Sequence, residues 1–382
     1  MIAIVLLMAA FLDAPRAHDP QIKITMFAES PQIVTPTGIA VDLKGRVLAI
    51  ESHTHFRPQN YEGPKFDRIL RFEDTDGDGK ADVITTVFEG TTFTMALAFH
   101  PDGGLFVATR NEVFRLELDA NGIASSPRKT LVSLKTPGNY PHNGLSGVTF
   151  DFDGTLYFGL GENLGADYTL TGSDGREIKG GGEGGNIYRC LADGSKLERV
   201  ATGFWNPFAM TFDAFGRLFA VDNDPDSRPP CRLLQIVDGG DYGYRFRNGC
   251  KGLHPFTSWN GELPGTLPMV ADTGEAPSGI VAYESDLFTD LIGGLLVTSW
   301  GDHRIDRFAV VAKEGNATLT ASTGPLISGG EDFRPVGIAV APDGLAHKFD
   351  FAYKNHPRIG LIGLQDHGGD CWFKNIVIKK LP

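Results

Sequence analysis

A short unit that recurs six times limits what this chain can fold into more than any other feature. Each copy has an apolar run alternating with small or polar residues, a Gly-containing turn and a second run of the same kind. The clearest copy is HNGLSGVTFDFDGTLYFGLG, residues 142–161. A period of two is that of a pleated strand, and Gly or Asp supplies the backbone conformation of a tight turn. Each copy therefore predicts two antiparallel strands. The copies begin at Thr35, Phe93, Gly144, Asn206, Ala276 and Arg334.

The spacing of the copies predicts the architecture. It is about 60 residues, longer than the roughly 40 to 50 of common propeller blades but suited to blades with long loops. No stretch has the pattern of a long amphipathic helix. We predict an all-β fold, a six-bladed β-propeller over residues 21–344, with a β-sandwich as the alternative. The sixth copy ends after APDG at Gly344 without its second strand, so the last blade is expected to be atypical or incomplete.

The first residues and the whole-chain composition bear on location and partners. Residues 1–17, MIAIVLLMAAFLDAPRA, predict a signal peptide because the apolar run lacks alternation and ends at a Pro/Arg/His break; a buried first strand is the alternative. The expected location is periplasmic or secreted. No other run has the length of a membrane span. The net charge of -12 argues against nucleic acid and anionic membranes. Cys231 and Cys250 either pair or remain thiols.

An acidic loop, DTDGDGKAD at residues 74–82, is the sharpest local motif. Its carboxylates at alternate positions and its Gly turn match an oxygen-rich calcium loop, although Thr85 replaces the final Glu of a full site. A solvated β-turn is the alternative. The predicted ligands are Asp74, Asp76, Asp78 and Asp82, with the backbone carbonyl of Lys80.

Several loops at predicted strand ends carry candidate site residues. His53 and His55 lie at i and i+2 and either meet a substrate or metal or make ordinary loop contacts. His142 lies in a Gly- and Asn-rich loop, where a neutral imidazole can accept a proton from a bound hydroxyl. Arg110 either faces the channel or lies on the surface. Trp259, in the long insertion of residues 251–274, either stacks on a sugar or packs its loop down.

Four segments in order, GVTFDFDGTLYFGLGEN, GGNIYRCLADGS, GFWNPFAMTFDAFGRLFAVDNDPD and IVDGGDYGYRF, resemble the pyrroloquinoline quinone (PQQ)-dependent soluble glucose/sorbosone dehydrogenases. They are most similar to the propeller domain of membrane-bound or L-sorbosone dehydrogenases of planctomycete-type bacteria. The resemblance covers residues 21–344 and implies oxidation of a sugar or sugar-derived alcohol or aldehyde, with an external electron acceptor such as a cytochrome or quinone. The end of the tail, residues 345–382, resembles the last strands of the jelly-roll-like 3-keto-disaccharide hydrolase domain.

The resemblance also implies roles for individual residues. His142 would be the base, Asn206 and Asn223 would meet the cofactor, and the segment at Asp224 and Pro225 would hold a calcium ion. There are departures from the family pattern. Trp205 stands where the dehydrogenases have an arginine, and it could stack on the cofactor but not neutralise it. The cations that remain as partners for the cofactor carboxylates, or alternatively as blade-edge ion pairs, are Arg228, Arg304 and Arg334.

Two other functions remain open. The replacement at Trp205 and the broken sixth copy favour a catalytically inactive propeller that binds carbohydrate or a protein. A calcium-dependent, lactonase-like hydrolase on the same fold would instead use the channel Asp, Asn and His residues.

Overall fold

The structure is a computed structural model that describes residues 4–8, 14–55, 57, 59–140, 142–225, 230–248, 257–285, 288–312 and 318–340. These residues form mainly antiparallel sheets, with short 3-10 helices at Phe246–Asn248 and Thr289–Leu291. No described helix has the length and apolar character needed to cross a membrane. The predicted tail, the last residues of the sixth copy, Arg228 and Cys250 lie outside the described residues.

The N-terminal part contributes three strands: β1 (Ile4–Met8), β2 (Arg16–Ala17) and β3 (Ile24–Glu29). β1 lies within the predicted signal peptide and pairs in parallel with β3. β2 joins the outer edge of the fifth blade described below.

Five four-stranded antiparallel meanders follow, each starting with a predicted copy of the unit. Blade one contains β4 (Pro36–Val41), β5 (Val47–Glu51), β6 (Asp67–Glu73) and β7 (Val83–Thr91). Blade two contains β8 (Thr94–Phe99), β9 (Leu105–Thr109), β10 (Glu112–Leu116) and β11 (Lys129–Lys135).

Blade three contains β12 (Leu145–Phe150), β13 (Leu156–Leu160), β16 (Gly185–Cys190) and β17 (Glu198–Phe204), with β21 (Gly240–Asp241) added in parallel. Blade four contains β18 (Asn206–Phe212), β19 (Leu218–Asn223), β20 (Arg232–Ile236) and β22 (Ala271–Asp272). Blade five contains β23 (Pro277–Tyr283), β24 (Gly294–Ser299), β25 (Arg304–Ala312) and β26 (Leu319–Ser328).

A hairpin links two of the blades. Its strands, β14 (Tyr168–Gly172) and β15 (Glu177–Gly180), lie between β13 and β16 in the chain. They nevertheless join β11 and extend blade two to six strands. Blade three therefore sends a hairpin to the outer edge of its neighbour.

The core lies between adjacent blades rather than in one central mass. The first strands of consecutive blades contact one another from β4 through β8, β12 and β18 to β23. Between them are separate layers of buried residues, such as the one that joins Phe106 of blade two to Phe158 of blade three. Burial of these apolar layers fixes the radial arrangement.

The all-β propeller prediction is confirmed, but the prediction of six blades is wrong, because the described residues form five. The sixth copy supplies residues 334–340, which form no strand. Their backbone instead passes between blades five and one: the Val336 carbonyl accepts a hydrogen bond from Thr298 Oγ1 at 3.0 Å, and Gly337 lies against Ile39. Among the described residues this segment has no second strand to pair with, and it lies between the two blades as irregular chain.

Candidate functional site

The inner strands bring together side chains from blades one, two, three and four. His55 follows β5, and His142 precedes β12 in blade three. His55 Nε2 and His142 Nδ1 are 3.1 Å apart, and the two rings are tilted by 57°. Asn206, which begins β18, donates from Nδ2 to the carbonyl of His142 at 3.2 Å. Residues that are far apart in the sequence therefore meet at one end of the inner strands.

Electrostatics distinguish the two histidines. His142 is exposed, whereas His55 is half-buried. Burial, followed by the proximity of His142, lowers the pKa of His55 to about 4. The nearby Arg110 guanidinium lowers this pKa further, while Asp67 opposes the shift. His55 is therefore neutral at physiological pH and can accept a hydrogen bond.

Asn206 is held firmly and keeps one polar atom available. Its side chain is buried, and its backbone N–H donates to Asp222 at 2.7 Å. Asn206 Oδ1 has no hydrogen-bond partner among the described residues. A buried acceptor without a partner is uncommon in folded proteins and is typical of a ligand or water site.

Arg110 supplies a positive charge next to the histidine pair. It is buried, and its guanidinium donates to the carbonyls of Gly138 and Asn139 at 3.0 and 2.9 Å and to Asn163 Oδ1 at 3.3 Å. These partners are neutral, and burial lowers the Arg110 pKa. Within the described part of the chain, its charge is not balanced by an ion pair.

The two tryptophans named in the sequence analysis are buried. Trp205 is 2% exposed and packs edge-on against the rings of Tyr140 and Tyr244. Trp259 is 3% exposed, and the Arg232 guanidinium lies 3.6 Å from its ring centroid. Both rings are enclosed by protein and pack the loops of blade four.

Beyond β19, a mixed set of metal-ligand atoms converges. Asn223 lies opposite Asn206 in the ladder and donates to the Pro277 carbonyl at 3.3 Å. Next along the chain, the buried Asp224 meets Cys231 and Glu275. Carboxylate oxygens of the two acids and the Cys231 sulfur all lie within 4.8 Å of one another. Pro225, the other residue of the predicted calcium segment, is buried beside Asp224.

The acidic loop folds around its first aspartate. Asp74 accepts hydrogen bonds from the N–H groups of Gly77 and Gly79 at 2.7 and 2.9 Å. Carboxylate oxygens of Asp74, Asp76 and Asp82 lie within 4.8 Å of one another. The Asp78 carboxylate instead accepts from the N–H of Lys80 at 2.8 Å. Three of the four predicted carboxylates thus come together.

The remaining predicted residues lie elsewhere. His53 is buried, 2.9 Å from Glu51 Oε2, and also contacts Tyr61. Arg304 pairs with Asp306 and Asp302 at 2.8 and 3.2 Å. The Arg334 guanidinium lies 4.3 Å above the ring of Trp300.

The sequence matches the profile of a family described as a domain of unknown function, DUF7133, over residues 17–354. The chain belongs to this family. No curated protein matches the chain.

Solved structures with the same fold include three sugar-oxidising or carbohydrate-active proteins. The PQQ-bound aldose sugar dehydrogenase of Streptomyces coelicolor has a TM-score of 0.55 at 17% identity, covering 86% of this chain and 89% of its own. The PQQ domain of pyranose dehydrogenase from Coprinopsis cinerea has a TM-score of 0.58 at 12% identity, covering 88% and 92%. A calcium structure of the Trichoderma reesei Carbohydrate-Active Enzymes Family AA12 has a TM-score of 0.56 at 14% identity, covering 82% and 89%. This DUF7133 member therefore has the propeller fold of those proteins.

Two residues of this DUF7133 propeller were missed by the sequence analysis. Asn143 donates from Nδ2 to the Glu162 carbonyl at 2.7 Å, and the Glu162 N–H donates to the Trp205 carbonyl at 2.8 Å. Glu162 itself is buried. A lone Glu in the loop GLGEN gives no sign of burial, because acidic residues in loops are usually solvated.

Proposed function

We propose that this DUF7133 protein binds PQQ at the inner-strand site and oxidises a sugar or sugar-derived alcohol or aldehyde there, with His142 as the base. The observation that carries the proposal is the His55–His142 pair beside Asn206. It combines an exposed imidazole, a neutral partner and a buried amide oxygen available to a ligand. The shared fold with two PQQ-containing dehydrogenases supports the choice of cofactor.

The histidine pair is suited to accept a proton. If His142 Nδ1–H donates to the neutral His55 Nε2, then His142 Nε2 carries the lone pair and can take the proton of a substrate hydroxyl. The low pKa of His55 keeps it from competing for that proton. His55 thus acts as the positioning residue, in the way a third group orients the base of a catalytic triad.

Two described residues fit PQQ best. Bound PQQ would accept the two electrons that leave the substrate. Arg110 has only neutral partners among the described residues and could balance a carboxylate, while Asn206 Oδ1 could accept a hydrogen bond from the cofactor. Trp205 does not fit the stacking role, because its ring is enclosed. Arg304 already has two carboxylate partners.

We assign the cation of this site to the segment at Asp224 and Pro225. A calcium ion there would act as a Lewis acid towards the cofactor. The Asp224 carboxylate, with Glu275 nearby, adds the oxygen ligands that calcium prefers. The loop of residues 74–82 is proposed as a second, structural calcium site. A periplasmic or secreted location and an external electron acceptor complete the proposal.

The test is titration of the calcium-loaded protein with PQQ, followed by dye reduction with a panel of aldoses and sugar alcohols. We expect stoichiometric binding and turnover, with His142→Gln lowering turnover by about 10²- to 10⁴-fold, the usual contribution of a general base. His18→Gln, a change at the exposed edge of blade five, is the matched control and should retain activity. Failure of folded protein to bind PQQ would refute the proposal.

A catalytically inactive binding propeller is the second candidate. It is favoured by the burial of Trp205, since neither that side chain nor the ion-paired Arg304 replaces the family arginine. Glycan binding without PQQ uptake or dye reduction would support it. Calcium-dependent turnover of lactones would instead indicate the lactonase-like hydrolase.

A further inference from the structure

A small cavity lies where the chain leaves blade three for the β14–β15 hairpin and returns to β16. Glu162, Tyr168, Gly184 and Asn186 are among its lining residues. Its volume is about 10 Å³, which is room for roughly one water-sized sphere. The cavity is separate from the acidic loop and from the Asp224 segment.

Glu162 places a negative charge in this cavity without a cation. Its side chain is 3% exposed. Its two carboxylate oxygens accept one N–H each, from Gly165 at 2.7 Å and Gly184 at 3.0 Å. No Lys, Arg or His within the described ranges forms an ion pair with it, and Glu183 adds a like charge nearby. Burial of a carboxylate charge is costly, and a bound cation would balance it.

Asn186 provides independent evidence that this cavity can bind a ligand. It is fully buried, and its Nδ2 donates to the Gly184 carbonyl at 3.0 Å and to Tyr168 Oη at 3.2 Å. Its Oδ1 has no hydrogen-bond partner among the described residues.

We propose that this cavity binds one hard cation of the size of Ca²⁺ or Na⁺, held by the Glu162 carboxylate and the Asn186 amide oxygen. A cation would account for both observations, because it would balance the charge of the Glu162 carboxylate and bind to Asn186 Oδ1. A water molecule could donate to both oxygens, but it would leave the charge of the Glu162 carboxylate unbalanced.

The ion would also stabilise the candidate active site. The Glu162 backbone links Asn143, the neighbour of His142, to Trp205, the neighbour of Asn206. The cation therefore holds the loop on which both of these residues depend. This role does not require PQQ.

The experiment compares thermal unfolding of the full chain in CaCl₂, NaCl and choline chloride at matched ionic strength. Asp74→Ala/Asp82→Ala/Asp224→Ala serves as the background, so that neither the acidic loop nor the proposed calcium segment at Asp224 contributes. We expect Tm to rise with the logarithm of Ca²⁺ or Na⁺ concentration, as for any ligand that binds only the folded state. Whichever cation raises Tm more is the bound species. Glu162→Gln should abolish this rise, and Asn186→Ala should weaken it.

Glu177→Gln, on the exposed β15, is the matched control and should leave the cation response unchanged. An equal response in the Glu162→Gln protein, or no response in the background protein, would overturn the proposal. If Glu162→Gln does not fold, the site is tested instead by anomalous diffraction from crystals of the background protein soaked in TbCl₃, because terbium takes the same oxygen ligands as calcium. An anomalous peak between Glu162 and Asn186 supports the site, and its absence overturns it.

Discussion

At the scale of single residues, the contact between His55 and His142 sets the electrostatics of the candidate site. His55 and His142 were each recognisable as loop histidines, but they lie 87 positions apart and meet only because blades one and three face the same inner ring. The two carbonyls that fix Arg110 come from a loop of no distinctive pattern. Such contacts depend on the register of whole blades, which no local motif encodes.

The lowered pKa of His55 predicts a pH dependence of stability. The unfolded chain takes up a proton at this residue below about pH 6.5, whereas the folded protein does so only near pH 4. The contribution of His55 is therefore fully present above about pH 6.5 and is lost as the pH falls towards 4. His55→Gln should reduce this loss.

Urea unfolding at pH 7, 5.5 and 4 measures this loss of unfolding free energy. The slope of unfolding free energy against pH should be smaller for His55→Gln than for the wild type. The His18→Gln protein should keep the wild-type slope. Equal slopes in the wild type and His55→Gln would contradict the assigned environment of His55.

At the scale of elements, the paired strands follow directly from the sequence, because the turn glycines and the alternation lie within a few residues of each other. Gly45, Gly103, Gly154 and Gly216 all have positive φ at the predicted turns. The cross-blade hairpin could not be predicted. Its strand β15 (EIKG) has no alternating apolar pattern, and its place is set by pairing of β14 with β11 of another blade.

Blade four contains a buried ion pair that supports a stability prediction. Arg232 Nη2 and Asp222 Oδ2 are 2.6 Å apart, and both side chains are fully buried. Asp222 also accepts the N–H groups of Trp205 and Asn206. Removing one partner leaves a buried charge, so Arg232→Met should cost about 3 to 5 kcal/mol of unfolding free energy.

Urea unfolding measures the loss of unfolding free energy in the Arg232→Met protein. Arg217→Met is the control, because its pair with Asp213 at 2.6 Å is partly exposed. Such pairs are worth about 0 to 1 kcal/mol. The double change Asp222→Asn/Arg232→Met should be less destabilised than the sum of the single changes. A loss at Arg232 no larger than at Arg217 would show that Asp222 finds another compensating partner.

At the scale of the whole molecule, the repeat predicts the propeller but overestimates its blade number. Five copies keep both strands and become blades. The sixth supplies only residues 334–340 to the described part of the chain, and these residues form no β-ladder there. The number of copies can therefore be counted in the sequence, but the number of blades cannot. The conformation of residues 334–340 depends on their contacts with blades five and one.

The contact of residues 334–340 with blades five and one can be tested by the substitution Gly279→Ala. A Cβ at Gly279 would lie 2.7 Å from the Val336 carbonyl oxygen, and relieving that contact requires a backbone shift of the closing segment. Overpacking of this kind costs about 1 to 3 kcal/mol. Gly324→Ala is the matched control, because a Cβ there meets nothing within 4 Å. We expect Gly279→Ala to lower the urea midpoint and to increase hydrogen exchange in residues 334–340, with Gly324→Ala close to wild type. Equal stability of the two variants would mean that the segment does not hold the first and last blades together, and the ring would then depend on the other inter-blade layers alone.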